Sequence, residues 1–327
     1  MAEKVCAVVV TFNRKSLLVN CLNALMKQTK SVDAIYIIDN ASSDGTPEML
    51  LEQGYIRELP PTKLSEPWEI EQDIPNLKDG RPIKVRYVRM HENTGGAGGF
   101  AEGMKRAYEK GYDWLWLMDD DCRPERDCLE QLLEVAEPGN VYIPVLIDSL
   151  GRRYGAGYWR GRWVNASLEG TGNIKVDCFS FAGPLISSKV VDQVGYPRGD
   201  FFIWADDVEY ALRVRKAGLR AFVVQKASIY HDYGGKPRLV KRFGRTSIRS
   251  PEPAWKHYYG VRNSFFVLKN VKFKERILGY VFIMYFLLRY SLGDILYERD
   301  WKIKLKYRWL GFVHGVLGIT GQKVKPK

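Results

Sequence analysis

Three adjacent carboxylates, Asp119, Asp120 and Asp121, follow the apolar run Trp114-Leu115-Trp116-Leu117-Met118. Neighbouring anions repel one another, and hard divalent cations with oxygen ligands, bridging to a phosphate, are their usual neutraliser. A solvated acidic turn is the alternative. The position at the end of a strand-like run, ahead of Arg123-Pro124, favours a metal site. A second acidic group, Asp206, Asp207 and Glu209, comes directly after Phe201, Phe202 and Trp204. At a helix start the dipole stabilises such charges, and one of them can serve simply as a cap. Three carboxylates behind aromatic side chains also suit a sugar-sized pocket, because aromatic faces pack on sugar C–H surfaces and carboxylates bind or deprotonate hydroxyls. His231 is one of four histidines and ends a strand-like segment. Spacing alone leaves it structural or part of a metal shell.

Two further segments carry polar chemistry. Asp39-Asn40-Ala-Ser-Ser-Asp44 closes an apolar run and suits a ribose diol or a base edge, or equally a helix cap. Asn93-Thr-Gly95-Gly96-Ala-Gly98-Gly99-Phe100 reads as a strand-to-helix turn whose glycines let backbone N–H groups approach an anion. Gly96-x-Gly98-x-x-Ala101 also matches a loose dinucleotide fingerprint. That fingerprint belongs on the first βα turn, whereas this one follows the third strand, so the nicotinamide reading is set aside.

The elements that must position these groups read as an α/β chain. Strands are expected at Val5–Thr11, Ala34–Asp39, Lys84–Arg89, Trp114–Met118, Val141–Ile147, Val176–Gly183 and Arg220–Gln225. A helix carries Leu17, Leu18, Leu22 and Leu25, and others are expected from Pro124 to about Val135 and over Ser187–Val194. Residues 55–83, with Pro60, Pro61, Pro67, Pro75 and Pro82, show no apolar period and read as an inserted loop or flap. Arg152–Val164 reads as an antiparallel excursion.

The 327 residues carry a formal charge of +12, with 46% hydrophobic and 27% charged side chains. That excludes a disordered chain and implies an anionic partner: nucleic acid, anionic lipid or a phosphorylated substrate. Five cysteines without a C-x-x-C pair argue against a zinc site or disulfide framework and suggest a reducing cytoplasm. No basic-then-apolar leader is expected at the start. The carboxyl region changes character. Pro253–Asn263 reads as a helix packed on the rest, and Ile277–Leu288 is strongly apolar but shorter than the ~20 residues that span a bilayer. Lys302, Lys304, Lys306 and Arg308 then alternate with Trp301, Tyr307, Trp309 and Phe312. Such a mix fits helices lying on an anionic membrane, or a hairpin burying its apolar face on the core or in a dimer.

Taken together, Thr11-Phe-Asn13-Arg14, Asp39-Asn40, Asn93-x-Gly95-Gly96-x-Gly98-Gly99-Phe100, Asp119–Asp121, Trp204-Ala-Asp206-Asp207 and His231 resemble family 2 glycosyltransferases of GT-A fold, from about Val5 to Tyr233. The glycine loop with a full Asp triplet is most similar to bacterial galactofuranosyltransferases and rhamnosyltransferases. The resemblance implies a GT-A catalytic domain over 1–250, and the basic, aromatic carboxyl end beyond it reads as a helical, membrane-associating region over 251–327. It implies that Thr11, Asn13, Arg14, Asp39, Asn93, Gly95, Gly96 and Asp120 hold the nucleotide-sugar donor. Asp119, Asp121 and His231 would bind Mn²⁺ or Mg²⁺, Trp204 and Glu209 would face the acceptor, and Asp207, with Asp206 beside it, would be the base. Many relatives have Glu-Asp at that pair.

The implied activity is inverting, metal-dependent transfer of galactofuranose from UDP-galactofuranose, or of rhamnose from dTDP-rhamnose. The acceptor would be a lipid-linked glycan of a bacterial surface polysaccharide, O-antigen or cell-wall galactan. The implied location is the cytoplasmic face of the inner membrane, peripherally attached, with homo-oligomer formation left open. Two other classes compete. A nucleic-acid-binding protein could use the basic aromatic end, but no such motif occurs and the acidic clusters would repel a phosphate backbone. A sugar nucleotidyltransferase would need Lys or Arg for a phosphate co-substrate where Trp204-Ala-Asp-Asp stands.

Overall fold

The structure is a computed structural model that describes residues 3–155, 157–159, 162–163, 172–231, 238–242 and 244–325. The end of the expected excursion at Val164, and Tyr233 at the close of the resemblance, lie outside them.

In chain order the strands are β1 (Val5–Thr11), β2 (Ala34–Asp39), β3 (Trp68–Pro75), β4 (Pro82–Arg89), β5 (Trp114–Asp119), β6 (Arg123–Pro124), β7 (Asn140–Ile147) and β8 (Arg153–Gly155). They continue as β9 (Gly157–Trp159), β10 (Arg162–Trp163), β11 (Asn173–Val176), β12 (Cys178–Phe179), β13 (Leu185–Ser187), β14 (Arg220–Tyr230), β15 (Arg238–Arg242) and β16 (Arg245–Arg249). The helices are α1 (Lys15–Leu25), α2 (Thr46–Glu52), α3 (Gly95–Glu109), α4 (Cys128–Leu133), α5 (Ser188–Val194), α6 (Asp206–Lys216), α7 (Ala254–Val267), α8 (Phe273–Tyr297) and α9 (Trp301–Leu317).

An 11-stranded mixed sheet runs β11-β14-β7-β13-β5-β1-β2-β4-β3, with β6 added on β14 and β8 on β7. β1 and β2 are buried along their whole length, which is why Val-Cys-Ala-Val-Val-Val and Ala-Ile-Tyr-Ile-Ile are apolar without alternation: both faces are covered. Parallel pairing of β1 with β2 and β5, and of β2 with β4, sets Val10 opposite Asp119, Thr11 opposite Asp39 and Asp39 opposite Arg89. The polar strand ends thus share one edge of the sheet, where open α/β sheets bind ligands. Helix α3 lies close over that edge because a Cβ on Gly99 would meet Val10 Cγ1 at 2.5 Å and one on Gly103 would meet Val8 Cγ1 at 2.4 Å.

Four expectations need correction. The strand expected over Val176–Gly183 is broken, because Val176 ends β11 on β14 and only Cys178–Phe179 continue, paired with β9. The 55–83 insertion is not all loop, because Trp68–Pro75 pairs antiparallel with β4 at the sheet edge. Trp68-Glu-Ile70-Glu-Gln-Asp-Ile74 alternates with period two, while Pro75 and Pro82 face each other at the hairpin end of the pairing. The helix expected from Pro124 starts at Cys128, since Arg123-Pro124 pairs with Tyr230 and Ile229. The apolar segment around Ile277–Leu288 belongs to a 25-residue helix, α8, long and apolar enough to cross a membrane by length and composition, and mostly exposed.

Candidate active site

A cleft of about 240 Å³ opens at the carboxyl edge of β1, β2 and β5. Thr11, Arg14, Asn40, Asn93, Gly95, Gly96, Asp119 and Asp120 line one side, and Phe202, Ile203, Trp255 and Lys256 the other. Thr11 Oγ1 donates to Asp120 Oδ2 at 2.7 Å, and Arg14 Nη1 reaches Asp120 Oδ1 at 3.3 Å and Asp121 Oδ2 at 2.9 Å. One guanidinium thus bridges two members of the triplet. Burial works against the Arg14 charge, but the three aspartates more than offset it and raise its pKa.

Two residues expected at the donor instead brace the loops beside it. Asp39 is fully buried and accepts from Tyr87 Oη at 2.7 Å, Arg89 Nη1 at 2.6 Å and the Ser42 amide at 2.8 Å. Asn13, in the left-handed region at φ 54°, ties its loop to the next one. Its amide donates to Ser42 Oγ and its Oδ1 accepts from the Ser43 amide. Neither lines the cleft. Asn40 does, and it bonds Thr94 Oγ1 and the Gly95 carbonyl, so the loop after β2 holds the start of α3.

The glycine segment also differs from the expected turn. Gly95 to Phe100 already belong to α3, and the Ala97 amide donates to the Phe202 carbonyl at 3.2 Å. Gly95, at φ 74°, is where a side chain is excluded outright: its Cβ would sit 1.9 Å from Phe202 O.

Of the expected metal ligands, the fold joins two. Ligand atoms of Asp121, Cys122 and His231 lie within 4.8 Å of one another, and Asp119 is not in that group. The β6–β14 register sets Arg123 opposite Tyr230, so Cys122 comes level with His231. Asp119 is separated because Asp120–Cys122 turn, with the Cys122 amide bonded to the Asp119 carbonyl, which breaks strand alternation. Asp121 Oδ1 is buried, accepts no hydrogen bond among the described residues and lies 3.4 Å from His231 Nε2. Burial opposes the Asp121 charge, but His231 and Arg14 outweigh it and its pKa falls. Asp119 goes the other way, pushed up by burial and by Asp121 and Asp120. Burial holds the Cys122 thiol protonated, a poor ligand for a hard cation. Asp121 and His231 therefore fit a divalent ion.

Across the cleft, the loop before α6 carries three non-glycine residues at positive φ: Phe202, Trp204 and Ala205. Each such residue costs ~1–3 kcal/mol and persists only when its surroundings hold it. Arg262 and Asn263 of α7 do so. Asn263 Nδ2 faces the carbonyls of Phe201, Ile203 and Trp204 at 3.2, 3.0 and 2.7 Å, and Arg262 Nη2 donates to Phe201 O at 2.8 Å. Arg262 Nε also bonds Asn263 Oδ1, which orients the amide. The expected aromatic wall is consequently divided. Phe201 is core against Phe266, Phe202 reaches the cleft, and Trp204 packs over Gly260 beneath Lys256 and beside His257.

Asp206 and Asp207 open α6, where Asp206 is buried and Asp207 half-buried. Burial raises both pKa values, and the charge of Asp207 raises that of Asp206 further. Glu209, expected to face the acceptor, turns inward instead. Its carboxylate takes Arg213 Nε at 3.0 Å and Asn270 Nδ2 at 3.0 Å, fixing α6 to the segment after α7. Trp255, Lys256, Arg262 and Asn263 are not among the site residues expected from the sequence, and Asn40 enters there only within the Asp39–Asp44 segment. Pro253–Asn263 reads as a packing helix, but nothing in its pattern shows which loop it grips.

Comparison with known proteins agrees with this architecture. The family model described as "Glycosyl transferase family 2" matches residues 6–57 and 66–188. A protein named galactofuranosyltransferase GlfT1 from Mycolicibacterium smegmatis is 29% identical over 94% of this chain and 96% of its own. One of the same name from Mycobacterium tuberculosis is 31% identical over 83% and 84%. Among solved structures, S. aureus TarS 1-349 superposes with a TM-score of 0.57 at 10% identity, over 96% of this chain and 81% of that one. GalNAc-T7 crystallised with UDP, GalNAc and Mn2+ gives 0.55 at 16% identity, over 97% of this chain, which spans 56% of that protein's chain. These two likenesses concern the fold, which is GT-A. Because the family model covers more than half of the residues, including the strand ends at Thr11, Asp39 and Asp119, the chain belongs to glycosyl transferase family 2 and is a glycosyltransferase.

Proposed function

We propose that this glycosyltransferase moves galactofuranose from UDP-galactofuranose onto a hydroxyl of a lipid-linked glycan, with inversion, during bacterial surface-polysaccharide assembly. The observation that carries the donor is the relation to proteins named galactofuranosyltransferase along nearly the whole chain. The cleft supports a nucleotide donor, since it sets Arg14, Asn93 and the Asp119–Asp120 pair around one space. Asp121 and His231 would hold Mn²⁺ or Mg²⁺. The ion would supply Lewis-acid neutralisation of charge on the departing diphosphate. Asp119, outside that pair but in the cleft wall, faces the donor side.

Asp207, at the start of α6 behind the Phe202–Ile203 side of the cleft and not among the residues that line it, is the base. It is the more accessible of the two carboxylates, and burial holds it at a pKa suited to proton uptake near neutrality. The acceptor oxygen attacks the anomeric carbon as the bond to the diphosphate breaks, and its proton passes to Asp207. A single displacement of this kind inverts the centre. The exposed apolar face of α8 and the +12 charge support peripheral attachment to an anionic membrane, and the proposed location is its cytoplasmic face.

The test is UDP or dTDP release from UDP-galactofuranose, UDP-galactopyranose and dTDP-rhamnose, with Mn²⁺ or EDTA and with or without lipid-linked acceptor. Release from UDP-galactofuranose alone, abolished by EDTA, is expected. Turnover of dTDP-rhamnose alone would replace the donor, and release that ignores EDTA would remove the metal.

A further inference from the structure

A second cavity, of about 360 Å³, lies between α7, α8 and α9, and Trp204 forms part of its wall. Trp204 is two residues from Asp206, so this cavity abuts the loop that carries the carboxylate pair. Its outer wall is a ladder of aromatic rings along α8. Phe282 stacks on Phe286 with centroids 6.4 Å apart, and Phe286 stacks on Tyr290 at 5.8 Å. Ile283 and Leu287 stand beside them. Phe282, Phe286 and Tyr290 remain exposed although they line a cavity, so the ladder opens sideways along a helix whose outer stripe is also apolar.

The inner end is different. Arg308 lines the cavity with its guanidinium 5.2 Å from the Tyr290 ring centroid, and His257 stands near by. Arg308 belongs to a network in which the buried Arg249, Lys304 and Arg308, with the half-exposed Arg238, share the buried Asp294 and Glu298 and the half-exposed Asp300. Four cations thus meet three carboxylates. Burial first, and then the charges of Arg308, Lys304 and Arg249, together lower the pKa of His257 to about 3, so the imidazole is neutral in a positive field. A buried excess of positive charge at the end of an apolar, laterally open groove matches an amphiphile with one long chain and an anionic head.

We infer that the groove binds a lipid phosphate carrying a single long apolar chain, with the chain along Phe282, Phe286 and Tyr290 and the phosphate toward Arg308. Such a lipid enters sideways from the bilayer and delivers the group attached to its phosphate past Trp204. The inference rests on the acceptor reading of the Asp206–Asp207 loop.

The test uses the full-length chain and farnesyl diphosphate as a soluble probe, in equilibrium dialysis under saturating UDP. Farnesol and inorganic diphosphate are the comparisons. Farnesyl diphosphate should bind at least tenfold more tightly than either. Ile283→Trp, which fills the groove, and Phe286→Ala, which breaks the ladder, should each weaken it at least tenfold while the UDP affinity stays within twofold. Equal binding of inorganic diphosphate, displacement of the probe by UDP, or indifference to both substitutions would overturn the inference. So would a change from dimer to monomer in Ile283→Trp with probe binding intact, which would make the groove a self-association face. Failure of the donor panel with probe binding retained would instead overturn the donor reading and leave the groove standing.

Discussion

At the scale of the residue, the Asp206–Asp207 pair is where burial and chemistry meet. Because burial raises both pKa values, the base is protonated and idle at acid pH and becomes active as pH rises. The acid limb of kcat/KM should therefore lie clearly above ~4, the ordinary carboxylate range. A limb at or below 4 would remove the pair from the reaction. Asp207→Asn should lower kcat by about 10²–10⁴-fold with UDP affinity unchanged. The buried partner predicts an opposite effect on stability. A carboxyl whose pKa is higher in the folded than in the unfolded chain loses stability as pH rises from the unfolded value through the folded one. Asp206→Asn should thus raise Tm at pH 8 relative to the parent and give no gain at pH 4. An equal gain at both pH values would assign the effect to packing.

At the scale of the element, α7 holds the catalytic loop in a conformation that the loop does not favour by itself. Asn263→Leu keeps the side-chain size and leaves the carbonyls of Ile203 and Trp204 without their amide donor. It should cost ~1–3 kcal/mol in denaturant unfolding and reduce kcat more than tenfold, with UDP affinity within about twofold. Loss of UDP binding in a folded Asn263→Leu protein would show that the loop serves the donor side instead. The same scale explains the misread insertion. A strand at a sheet edge needs only one apolar face, and β3 supplies it with Ile70 and Ile74 while its charged side chains pair with Lys84 and Arg86.

At the scale of the whole molecule, α8 presents two apolar faces. One lines the groove toward α7 and α9. The other is the exposed stripe Leu278, Val281, Tyr285, Leu288 and Leu292, spaced three or four residues apart. Val281→Glu with Leu288→Glu should reduce sedimentation with phosphatidylglycerol-containing vesicles about tenfold. Raising the salt should weaken the parent's binding, as expected for a chain of charge +12. Unchanged vesicle binding by the double variant would separate the stripe from the membrane.

Much of this protein was determined by local pattern. The uninterrupted apolar runs of β1, β2 and β5 require burial on both faces, and the carboxylates that follow them must then fall at a sheet edge. The ordered motifs from Thr11 to His231 carried the family. Tertiary structure decided the rest, because it depends on which segments meet. The β6–β14 register brings His231 to Asp121 and leaves Asp119 aside. The turn after Asp39 places that carboxylate beside the cleft, and Asn270 with Arg213 turns Glu209 inward. No periodicity encodes those partners: hydrophobic spacing reports which face of an element is buried, whereas the contact across that face is set by the packing of the whole chain.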